Sequence, residues 1–127
     1  MLIEGDPLIA TTHKILFIEA KKQNVKINII HSSSIITAVI GESGLDFYRF
    51  GAICTIARWT EHYKPISFYE TIEKNINSNL HSLLLFDFDE KNQTSIELKE
   101  VLKILDNAEN YYNKKILELM VNKCLDV

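Results

Sequence analysis

Two short polar clusters in this chain have the residue types to hold a small ligand. In Gly5-Asp6-Pro7, glycine and proline shape a tight turn whose backbone can approach a ligand, and the aspartate offers a hydrogen-bond acceptor. In Ser32-Ser33-Ser34, a hydroxyl can cap a helix and also donate to a carboxylate. Little else is arranged for catalysis. The four histidines, His13, His31, His62 and His81, lack metal-ligand spacing such as HxxxH, and neither a carboxylate pair nor a Cys–His arrangement stands out. His31 and His81 fall at strand edges, where a hydrogen-bonded structural role is favoured over proton transfer. Cys54 and Cys124 form neither a CxxC pair nor a zinc spacing, and read as reduced core thiols of a cytosolic protein.

The elements that must position these clusters alternate between strand and helix. Leu2–Glu4 reads as the tail of a strand closed by Gly5-Asp6-Pro7. Thr11 or Thr12 can cap a helix running to about Gln23, whose apolar middle, Ile15-Leu16-Phe17-Ile18, predicts burial. Asn24 stops it, and Val25–His31 alternates as a strand. Strand, helix and strand make a βαβ unit with parallel strands. Asp6 and Ser34 both follow predicted strands, so both belong at the carboxyl end of the sheet, where open α/β sheets bind ligands.

Any of the three serines can start a short helix over Ile35–Ile40, ended by Gly41 and Gly44. Ala52–Arg58 is a predicted strand, and Trp59–Ile66 reads as a linker. Within that linker, Trp59–Tyr63 reads as packing between domains rather than as a substrate surface. Ser67-Phe68-Tyr69-Glu70 has the form of a capping box opening a helix to about Asn77. Leu80–Phe88 is a nearly continuous apolar strand, the pattern of a strand covered on both faces. Thr94-Ser95-Ile96-Glu97 reads as a second capping box, followed by a helical stripe of Val101, Leu102, Leu105, Ala108, Tyr112, Ile116 and Leu119.

Composition narrows the function classes. The 127 residues are 46% hydrophobic and 24% charged, enough apolar content for a core and too much for a disordered chain. A net charge of −3 without a Lys/Arg block disfavours a nucleic-acid surface. No apolar run approaches the roughly 18 residues that span a bilayer, and no basic region followed by an apolar one marks a signal peptide.

Gly5-Asp6-Pro7-Leu8-Ile9-Ala10-Thr11-Thr12-His13 resembles the diphthine synthase family, as does Ile30-His31-Ser32-Ser33-Ser34-Ile35. Gly44-Leu45, Tyr48, Phe50-Gly51, Trp59-Thr60, Pro65, Ser67-Phe68-Tyr69 and Leu80-His81-Ser82-Leu83-Leu84 extend the match in register over residues 2–88. Gly-Asp-Pro alone is weak, because such turns are common; joined to Ala-Thr-Thr-His and the later blocks at consistent spacing, it is specific. Beyond Asn92 only Thr94–Leu105 is similar, and weakly.

The resemblance implies a tetrapyrrole-methylase-like α/β fold of two domains, with S-adenosylmethionine held in the cleft between them, homodimers and no metal. Asp6, Ile9, Ser34, Ile35 and Phe86 match cofactor-binding positions; no catalytic residue is assigned. Set against the family, the chain is expected to lack both ends of the full fold. It would hold part of the cofactor-binding domain at 1–58, a linker at 59–66 and part of the second domain at 67–127. The implied activity is methylation, in the cytoplasm, of the amino group of a modified histidine on translation elongation factor 2. Two other readings stay open: a methylase of this fold with another acceptor, such as a tetrapyrrole or ribosomal RNA, and a non-catalytic dimerisation or interaction module.

Overall fold

The computed structural model describes residues 5–89, 92–114 and 116. The chain divides into two compact units, 1–47 and 48–127. No helix among the described residues is long and apolar enough to cross a membrane.

The first unit carries helix α1 (Lys14–Lys22) and helix α2 (Ile35–Glu42). The residue at the start of α1 is His13, without a side-chain cap; Thr11 instead turns its hydroxyl to the His13 ring nitrogen Nδ1, 2.6 Å away. Asn24 ends the helix in a left-handed conformation (φ 55°), as its short polar side chain permits. The predicted burial of α1 does not hold. Ile15, Leu16 and Ile18 are half or more exposed, and no residue of this helix is buried. An apolar stripe is buried only where another element lies over it, and among the described residues none covers this one.

The expected strand Val25–His31 carries no ladder among the described residues, and its expected partner Leu2–Glu4 lies outside them. The alternation survives only as burial, with Ile27 and Ile29 half-buried and Asn28 and Ile30 exposed. Ser34 is the serine that starts α2. Its hydroxyl accepts from the Ile36 amide at 3.3 Å, and the helix passes Gly41 to end at Glu42.

A 3-10 helix at Phe47–Arg49 spans the division of the chain, and the second unit is built on a β-α-β element. Strand β1 (Cys54–Ile56) pairs in parallel with β2 (Leu84–Phe86), Ile56 opposite Phe86, and helix α3 (Ser67–Asn77) makes the connection. Residues 59–66, read from the sequence as joining two domains, here lead from β1 to α3 inside this unit. The division of the chain falls between Phe47 and Tyr48, because β1 pairs across that segment with β2. Trp59 packs against the core of this unit, and its indole nitrogen donates to the Pro65 carbonyl at 3.2 Å.

Neither capping box forms. Ser67 is already helical, with Ile66 at the cap position and no side-chain bond. Thr94–Ser95 is strand β4, antiparallel to β3 (Phe88–Asp89), and helix α4 (Leu98–Tyr112) starts beyond it. The hairpin takes the backbone that a cap would need. The strand expected over Leu80–Phe88 shortens to β2, and Phe86 at its end is 39% exposed rather than covered. The core joins Ile56, Phe68, Tyr69, Ile72 and Ile96 to Val101, Ile104, Leu105 and Ala108 of α4. Leu102, expected in the apolar stripe, is exposed, and Ile104 takes the place. The helix runs through Asn110 and ends at left-handed Asn113; Leu119 and Cys124 lie outside the described residues.

One buried amide closes the β-α-β element. The Asn75 Oδ1 accepts from the Ala52 amide at 3.0 Å, and its Nδ2 donates to the Ala52 carbonyl at 2.8 Å and the Ser82 hydroxyl at 2.9 Å. Beside it the Gly51 amide donates to the His81 carbonyl at 2.9 Å. A Cβ at Gly51 would collide with the Asn75 side chain. Asn75→Ala removes the bonds to the Ala52 amide, the Ala52 carbonyl and the Ser82 hydroxyl and is expected to cost about 1–3 kcal/mol. Gly51→Ala is expected to cost about 1–3 kcal/mol by overpacking. Urea unfolding measures both, and midpoints equal to wild type in the two variants would contradict this account of the junction.

Candidate functional site

In the first unit, the Gly5-Asp6-Pro7 turn and the serine run lie side by side, joined through one carboxylate. Asp6 is buried, with a side chain only 3% exposed. Its Oδ1 accepts from the Leu8 amide at 2.9 Å, an Asx turn two residues on. Its Oδ2 meets the His31 Nδ1 at 2.8 Å and accepts from the Ser32 amide at 3.3 Å. The approach is close enough that a Cβ on Gly5 would stand 3.4 Å from the Ser33 carbonyl, and Gly5 itself holds a positive φ of 72°. Buried carboxylates need such donors, since an unpaired one would cost several kcal/mol of desolvation.

The electrostatics follow from these partners. The Leu8 amide, with the His31 ring and the Ser32 amide, holds the Asp6 carboxyl below the usual carboxylate range, against the opposing effect of burial. The folded-state value therefore lies below that of the unfolded chain. The stability tied to this carboxylate is fully present above the unfolded-chain value and is lost as pH falls through the folded one.

The other residues expected in the site are distributed as follows. Ser34 is buried, its hydroxyl oxygen capping α2, while its carbonyl accepts from the Ala38 amide and the Thr37 hydroxyl. A hydroxyl that accepts in this way keeps one O–H to donate elsewhere. Ile9 and Ile35 leave 44% and 63% of their surface exposed beside these polar groups in the chain. Phe86 stands in the other unit, at the carboxyl end of β2. The structure thus brings Asp6 together with the serine run, through Ser32 and Ser33.

Sequence reasoning missed the two backbone donors and the Ala10 backbone, which is left-handed at φ 54°. For alanine that conformation costs about 1–2 kcal/mol, and strain of this kind gathers at ligand-binding turns. The spacing Asp6–Leu8 was a signal for the Asx turn; nothing in the sequence marked Ala10. His31 fits its structural reading, since its ring is bound to a carboxylate. His81 lies at a parallel bridge with Phe50 and its ring tilts over the Phe50 ring at 6.1 Å.

Chemically, the first unit offers a polar turn with charge, a hydroxyl donor and two exposed apolar side chains. That set suits a small molecule with an amine or hydroxyl, a carboxylate and an apolar ring. A carbon-13 titration of the Asp6 carboxyl in the folded chain is expected to give a midpoint below that of an unstructured aspartate. A midpoint at or above it would contradict the bonding described.

No family model matches the chain. Among curated relatives, it is 41% identical over 108 residues to the diphthine synthase of Methanothermobacter thermautotrophicus, covering 85% of this chain and 41% of that one. It is 35% identical over 126 residues to the diphthine methyl ester synthase of Bos taurus, covering 96% of this chain and 44% of the relative. A crystal structure titled as a diphthine synthase, from Entamoeba histolytica, superposes with a TM-score of 0.74 at 34% identity, over 86% of this chain and 44% of that one. The chain therefore spans less than half the length of these relatives.

Proposed function

From the premise that this chain belongs with the diphthine synthases, of the tetrapyrrole-methylase fold, over the region it shares with them, we propose that it supplies part of an S-adenosylmethionine-dependent methyltransferase of diphthamide biosynthesis. The acceptor in this reading is the amino group of the modified histidine on translation elongation factor 2, in the cytoplasm, with the enzyme acting as a homodimer. The observation that carries it is the Asp6 junction, which lies where the family resemblance assigns the cofactor.

The residues present fit the cofactor. Asp6 Oδ1, engaged by the Leu8 amide, keeps acceptor capacity for a ligand amine or hydroxyl. The Ser34 O–H can donate to a ligand carboxylate. Ile9 and Ile35 offer apolar surface to an adenosine group; Phe86 is assigned to the cofactor by the family resemblance. When bound, S-adenosylmethionine supplies an electrophilic methyl on a good leaving group. Displacement of that kind asks the protein for alignment and exclusion of water rather than for a general base. The lack of an assigned catalytic acid or base therefore does not count against a methyltransferase.

A second reading is favoured by the exposed apolar residues of α1, Ile15, Leu16 and Ile18. In this reading the chain is a non-catalytic dimerisation or interaction module, since uncovered apolar surface favours association.

Calorimetry with S-adenosylmethionine separates the two. Saturable binding by the chain, weakened about tenfold or more by Asp6→Ala, is expected from the first reading. Unchanged affinity in Asp6→Ala removes Asp6 from the site, and no binding by the wild-type chain leaves the second reading. Transfer of labelled methyl to unmethylated elongation factor 2, and not to a tetrapyrrole or ribosomal RNA, is the outcome expected for the acceptor.

A further inference from the structure

Three donors hold the Asp6 carboxylate, and they differ in kind. Two are backbone amides, those of Leu8 and Ser32, which no substitution of side chain removes. The third is the His31 ring, through Nδ1 at 2.8 Å, across 25 residues of chain. The carboxylate is buried and the ring is 67% exposed, so the ring is the solvent-facing member of the pair. His31 and Ser32 both occupy Oδ2, whereas Oδ1 receives the Leu8 amide. A carboxylate held at both oxygens, with two donors on one of them, cannot rotate freely about its last bond.

We infer that His31 is a positioning residue: through its Nδ1–H it fixes the Asp6 carboxylate so that Oδ1 is the oxygen left to meet a ligand, and so ties the first turn to the serine run. The inference rests on the cofactor reading for its functional consequence, and on the hydrogen bond alone for its structural one. Asparagine can place an amide nitrogen near the position of Nδ1, whereas alanine places nothing there. Glutamine, with an amide one carbon farther out, corresponds to the other ring nitrogen.

The test compares His31→Ala, His31→Asn and His31→Gln in the full chain with two readouts. The first is amide hydrogen exchange at Leu8 and Ser32, which needs no cofactor. The second is the affinity for S-adenosylmethionine by calorimetry. Expected in His31→Ala is exchange at both amides faster by about fivefold and an affinity about fivefold weaker. His31→Asn is expected to restore both readouts and His31→Gln neither, with amides of α3 and α4 exchanging as in wild type throughout.

Unchanged exchange in His31→Ala overturns the inference whatever the cofactor does. Faster exchange with unchanged affinity confines His31 to the turn and overturns its role in the site. Failure of His31→Asn to restore exchange shows that ring packing, not the hydrogen bond, holds the turn, and overturns it as well. A wild-type chain that binds no S-adenosylmethionine counts against the proposed function, while the exchange data still decide the inference.

Discussion

A carboxylate taken out of water must be met by donors, and Asp6 is met by three from two separate parts of the chain. That requirement organises the first unit. The Asx turn fixes the path after Gly5, the His31 and Ser32 bonds bring in the end of the Val25–His31 segment, and the next residues run into the Ser34 cap of α2. The geometry on which the proposed cofactor site rests follows from satisfying one buried charge. Its polar groups are held, while Ile9 and Ile35 stay exposed.

The second unit solves a different problem by related means. Two short parallel strands have few ladder bonds of their own, and their approach is fixed by the Asn75 side chain bonding Ala52 and Ser82. Gly51 leaves the room for that amide. Aromatic packing adds to it, with Tyr69 stacked on Tyr112 at 5.1 Å and its hydroxyl donating to the Lys114 carbonyl. Phe86 is set at the end of β2 by the pairing of Ile56 with it.

What the sequence made legible follows from the range of the forces involved. Helices were legible where a local pattern suffices: α3 ends at Asn77 as expected, and Ser34 was among the three serines foreseen to start α2. Features that depend on a distant partner were not. The Thr94–Ser95 cap signal was overridden by pairing with Phe88–Asp89. The burial expected for Ile15–Ile18 presumed a covering element, which no local pattern can supply. Asn75 reads as an ordinary helical polar residue until Ala52 and Ser82 are placed beside it. In the site, the nearness of Asp6 to the serine run was inferable from strand order, but the choice of Ser32 and His31 as its partners was not.

The central claim is that the Asp6 junction forms the wall of a cofactor pocket. Its most direct measurement is amide chemical-shift mapping of the nitrogen-15-labelled chain titrated with S-adenosylmethionine. The account predicts saturable shifts concentrated at Asp6, Leu8 to Ala10 and Ser32 to Ile35, with the amides of α3 and α4 unmoved. Shifts that leave those two turns untouched, or that gather on the exposed face of α1, would contradict it.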